Sequence, residues 1–108
     1  MDPFVRRLVE RLLDPAAPLS RNKHFHTFDN DEGRRALKVW KRLTGLRADL
    51  RACAAEGGHS RIEKTASDEG EVTVALRLER LRSTRTTRLD AAEFDLLCKM
   101  PGVRDILR

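Results

Sequence analysis

The sequence predicts a small α+β domain in the order α-α-β-β-β-α, with an antiparallel three-stranded meander and its helices packed on one face. Two observations carry this. Apolar residues recur with a helical period over 3–14, 30–56 and 91–100, but alternate as in strands over 60–67, 71–80 and 84–89. The three strands also follow one another directly, which favours an antiparallel sheet over crossover units. At 108 residues the chain fits a single domain, 1–108.

The first helix is marked at its start by Asp2 as cap and Pro3 at the first helical position. Phe4, Val5, Leu8, Val9, Leu12 and Leu13 form its apolar stripe, and "DPAAPLS" ends it. Glu10 and Asp14 interrupt its basic side, so docking on a core is favoured over lying on a membrane. A connector over 15–28 follows. The second helix, 30–56, buries Leu37, Trp40, Leu43, Leu46, Leu50 and Cys53 or Ala54, with Gly45 marking a bend or a close contact. Gly57 in "EGGH" is its C-terminal cap.

In "EVTVALRLE", Val72, Val74, Leu76 and Leu78 point one way, and Thr73, Ala75, Arg77 and Glu79 the other. "SDEG" joins this strand to 60–67 as a tight turn with Gly70 at positive φ. "TRTTRL" reads as an edge strand blunted by charge. Asp90 and Glu93 then make a capping box, flanked by Leu89 and Phe94 as a hydrophobic staple. Phe94, Leu97 and Cys98 are the buried stripe of this helix. Pro101-Gly102 breaks it before a short terminal helix, 102–107, in which Val103, Ile106 and Leu107 touch the core.

Composition narrows the function. Aromatic residues are 5% of the chain and tyrosine is absent, which argues against a stacking platform for bases or sugars. The formal charge of +5 suits an acidic partner. Cys53 and Cys98 read as reduced thiols on helix stripes, consistent with a cytoplasmic protein. No apolar run reaches the length of a membrane span, and the charged start is neither a signal peptide nor an anchor.

The stretch "HFHTFDNDEG" suggests a metal site, with His24 and His26 as candidate ligands. No Cys-x-x-Cys or His-x-x-x-His spacing supports it. Helix initiation accounts for the acids, with Asp29 as cap, Glu32 as its capping-box partner and Asp31 in the first turn. Catalysis lacks a nucleophile with a partnered base or a phosphate loop after a strand. The reading is therefore no enzyme, no cofactor and no metal.

Two basic runs are the binding candidates. One is Arg77, Arg80, Arg82, Arg85 and Arg88 over the second and third strands; the other is Arg34, Arg35, Lys38 and Lys41, with Arg42, on the long helix. Together they predict a non-catalytic regulatory or adaptor binding domain. It acts through a protein partner or by self-association as a homo-oligomer, with exposed parts of the first helix adding affinity. The alternative is sequence-tolerant nucleic-acid binding, the arginines and threonines of the β-hairpin tracking phosphates.

Overall fold

A computed structural model of the protein describes residues 1–13 and 30–107. The connector 15–28 with His24 and His26, and Asp14 and Asp29, lie outside the described residues. The elements run α1 (Pro3–Leu13), α2 (Asp31–Ala55), β1 (His59–Ala66), β2 (Val72–Glu79), β3 (Thr84–Asp90), α3 (Ala91–Lys99) and α4 (Val103–Ile106). They fall into two compact units, Met1–Thr44 and Gly45–Arg108.

In the first unit, the Asp2 carboxylate accepts from the Phe4 N–H at 2.7 Å, and the Asp2 carbonyl accepts from the Arg6 N–H. The α1 cap is thus the expected one. Val5, Leu8 and Val9 are buried, whereas Phe4 is 51% exposed, so the apolar stripe of α1 is narrower than expected. At the start of α2 the cap is Asn30, not Asp29: its side-chain oxygen accepts from the Gly33 N–H at 2.7 Å. A capping box cannot close there, because the third helical position is a glycine with no side chain to reach back. Asp31 instead pairs with Arg34 at 2.8 Å on the helix surface.

The buried positions of α2 are Ala36, Leu43, Leu46, Leu50 and Cys53, while Leu37 and Trp40 are half-buried and Ala54 is exposed. The expected stripe holds from Leu43 to Cys53, and before it the small Ala36 is buried in place of Leu37 and Trp40. A Cβ built on Gly45 meets nothing within 4 Å, so no close contact explains this glycine, and the helix continues through it. The α2 terminus is a Schellman motif. Gly57, at φ +76°, donates to the Ala54 carbonyl, and Gly58 donates to the Cys53 carbonyl at 2.8 Å.

The second unit holds the sheet, in the order β1-β2-β3 with both pairings antiparallel. Ser67 and Gly70 close the first turn. The Gly70 N–H donates to the Ser67 carbonyl, and Gly70 has φ +85°, as a three-residue loop with its last residue in the left-handed region requires. Between β2 and β3 the Arg80 N–H donates to the Ser83 carbonyl.

Val74, Leu76, Leu78 and Leu89 are buried on one face of this sheet. The C-terminal part of α2 and helix α3 lie on that same face. The Cys53 thiol is 3.7 Å from the carbonyls of His59 and Glu79, and α3 contacts both β2 and β3. The Asp90–Glu93 capping box is complete, with its two hydrogen bonds at 2.7 and 3.2 Å. Leu96, Leu97 and Met100 are the buried residues at this helix, whereas Phe94 and Cys98 are half-buried. The expected α3 stripe is therefore turned by part of a turn. In α4 only Val103 is fully buried; Ile106 and Leu107 are half-buried, and the Ile106 carbonyl accepts from the Ser60 hydroxyl.

Candidate functional site

Directly paired residues of antiparallel strands share a face, so register decides which arginines act together. Arg77 pairs with Arg61 of β1 and Thr86 of β3, and Ala75 pairs with Glu63 and Arg88. These residues belong to the face opposite Val74, Leu76 and Leu78. Arg85, by contrast, is paired with Leu78 and therefore lies on the helix-covered side. There its guanidinium is 3.4 Å from the Asp49 carboxylate of α2. Arg88 is three positions along the strand from Arg85, and an odd step puts the two on opposite faces.

The remaining hairpin arginines are also dispersed. Arg80 lies 3.2 Å from the Glu56 carboxylate, although its Nε–H makes no aligned hydrogen bond. Arg82 is exposed in the β2–β3 turn beside Leu81, which is 95% exposed and isolated. On the open face Arg61 and Arg77 both stand 3.4 Å from the same Glu79 carboxylate oxygen. That face carries Arg61, Arg77 and Arg88 against Glu63, Glu79 and Asp90, so its formal charges cancel. Arg61 is a member of this constellation that a reading along the hairpin alone misses. The hairpin is arginine-rich without being a positive surface.

The other basic run is gathered on one helix face, although Arg34 also pairs with Asp31. Arg34, Arg35, Lys38, Lys41 and Arg42 are all exposed on consecutive turns of α2. Arg34, Lys38, Lys41 and Arg42 follow one another at spacings that define a single helix face. At 1.5 Å per residue, this stripe spans about 12 Å. Charge is unevenly divided along the chain. Residues 1–44 hold ten Lys and Arg against six Asp and Glu, an excess of four; residues 45–108 hold twelve against eleven. The two excesses make up the +5 of the whole chain. Nearly all the net charge therefore belongs to the part that contains the α2 stripe.

Neither cysteine is set up as a nucleophile. Cys53 is buried, and burial pushes the Cys98 thiol above its ordinary value; Asp95 pushes the same way, while Arg104 and Lys64 partly oppose it. Cys98 opens onto a shallow cleft of about 370 Å³ floored by Val72, Val74 and Phe94, with the Lys64 ammonium 5.4 Å from the Phe94 ring centre. Among the described residues no group of three His, Cys, Asp or Glu side chains is placed to hold a metal ion. Among them, too, no helix is long and apolar enough to cross a membrane. Comparison with protein-family models, curated proteins and solved structures gives no match to this chain.

Proposed function

We propose that the protein is a non-catalytic binding domain of regulatory or adaptor type that takes an acidic protein surface on the basic stripe of α2. The observation that carries this reading is the concentration of five exposed cations over residues 34–42, in the part of the chain that holds most of the net charge. Such a stripe accelerates encounter and orients an acidic partner. The exposed Met1 and Phe4 of the same unit supply apolar area, which charge alone does not provide.

Protein is favoured over nucleic acid as the partner because the sheet lacks what a phosphate-tracking surface needs. Its arginines are split between two faces and paired with Asp49, Glu56 and Glu79. Among the described residues, no Phe, Trp or Tyr accompanies Thr73, Ala75, Arg77 and Thr86 on the open face, where His59 at its edge is the one aromatic ring and forms no stacking platform by itself. The test is fluorescence anisotropy with a glutamate-rich peptide and, separately, duplex DNA and RNA of similar charge. Lys38→Glu with Lys41→Glu is expected to weaken peptide binding by about 10-fold or more, from the loss of attraction and the gain of repulsion. Arg82→Ala with Arg88→Ala is expected to change it less than about 2-fold. Preference for nucleic acid, with the larger loss in the hairpin variant, overturns the proposal in favour of the phosphate-binding alternative.

A further inference from the structure

We infer that the free edge of β1 is a self-association surface, on which a second copy of this chain pairs antiparallel about a two-fold axis through Ile62. Charges on the open face are mismatched at the β1 edge. Arg61 sits directly opposite Arg77, an unfavourable like-charge pair, and both share the single carboxylate of Glu79. Two residues along β1, Glu63 faces Ala75 across the sheet. One position thus carries a surplus cation and its neighbour on the same face carries an anion with no cation opposite it.

A second β1 strand resolves both mismatches in one register only. Two-fold pairing of a strand with itself must keep each residue on its own face, so residue numbers in a pair sum to an even number. With the axis at Ile62, Ile62 meets Ile62 of the second copy, and Arg61 meets its Glu63. The reciprocal contact repeats on the other side, giving two ion pairs from one strand. Moving the axis to Glu63 sets glutamate against glutamate. Moving it to Arg61 sets arginine against arginine. Charge therefore selects a single register, as directly opposed pairs do in sheets.

The edge is also open to receive a strand. Among the described residues β1 pairs only with β2, and it runs eight residues without proline, glycine or a bulge. Its residues are exposed except Ser60 and Ile62, which are half-buried. Pairing would extend the three-stranded sheet to six strands and satisfy the outward backbone groups of both copies. This edge shares no residue with the α2 stripe, so self-association and acidic-partner binding are tested by different substitutions.

Analytical ultracentrifugation of the full chain over a concentration series is the test. Wild type is expected to show a reversible monomer–dimer equilibrium. Arg61→Glu and Glu63→Arg, each folded by circular dichroism, are each expected to weaken it by about 10-fold or more, since each turns both attractive contacts repulsive. Mixed in equal amounts, the two variants are expected to dimerise with each other, because glutamates at 61 and 63 then meet arginines at 63 and 61. A wild-type chain that stays monomeric at high concentration overturns the inference. So does a dimer indifferent to both reversals, or a mixture that fails to pair although each variant is folded.

Discussion

Gly58→Ala places a methyl group where the fold has no room for one. A Cβ on Gly58 would lie 2.6 Å from the Glu79 carbonyl oxygen, 2.7 Å from the Cys53 sulfur and 3.0 Å from the Cys53 carbonyl oxygen. Two of these neighbours are backbone atoms. The Glu79 carbonyl is held at the end of the β1–β2 ladder, and the Cys53 carbonyl accepts the Gly58 N–H in the Schellman motif. Relief therefore requires the α2 terminus to separate from the end of β2, and overpacking of this kind costs about 1–3 kcal/mol. For a domain of this size, 1 kcal/mol corresponds to about 4–8 °C in Tm, so a fall of roughly 8–16 °C is expected for a 2 kcal/mol loss. Gly45→Ala is the matched control. It adds the same methyl group to a helical site with nothing within 4 Å, where replacing glycine stabilises by about 0.5–1 kcal/mol. Urea unfolding followed by far-UV circular dichroism, with thermal melts in parallel, measures both. Equal effects of the two substitutions, or a Gly58→Ala protein within about 0.5 kcal/mol of wild type, would refute the packing argument.

Asp90→Ala removes the side-chain acceptor of the α3 capping box and is expected to cost about 1 kcal/mol in urea unfolding; a loss below about 0.3 kcal/mol would mean the box contributes little. Alkylation of Cys98 in the native protein is expected to rise with pH at a midpoint above that of free cysteine, because burial disfavours the thiolate. The Arg104 guanidinium opposes that shift, so Arg104→Ala is expected to move the midpoint higher still. A midpoint below that of free cysteine, or a downward move in the variant, would contradict this electrostatic assignment.

Much of the fold was legible because short-range chemistry specifies it. Asp2, Gly57, Gly70 and the Asp90–Glu93 pair act within a few residues of themselves, and each does what its neighbourhood dictates. The alternation of Val72, Val74, Leu76 and Leu78 likewise revealed the face of β2 that meets α3 and the end of α2. Adjacent alternatives were harder. Asp29 and Asn30 are both good caps, and only the position at which the backbone turns helical decides between them. The α3 stripe was misplaced because apolar residues occur at 94, 96, 97, 98 and 100, so periodicity hardly distinguishes one side. In α2, the large Trp40 outweighed Ala36 as a core signal although Ala36 is the more buried.

The binding surface was less legible, for a different reason. Counting arginines along β2 and β3 treats a strand as a line, whereas its side chains alternate between two environments. The opposite placement of Arg85 and Arg88 follows from strand alternation alone. The partners Asp49 and Glu56 do not, since they come from α2 and are brought to Arg85 and Arg80 by tertiary packing. The cross-strand neighbour Arg61 needed the hairpin register, which the three-residue loop after Ser67 sets. The α2 stripe was readable throughout, because helical spacing alone gathers Arg34, Lys38, Lys41 and Arg42 on one side.

Amide chemical-shift mapping of the isotopically labelled protein, titrated with a glutamate-rich peptide, tests the central claim most directly. The largest shifts are expected at residues 34–42, fading as salt is raised. Shifts centred instead on Arg61, Arg77 and Arg88, with α2 unmoved, would contradict it.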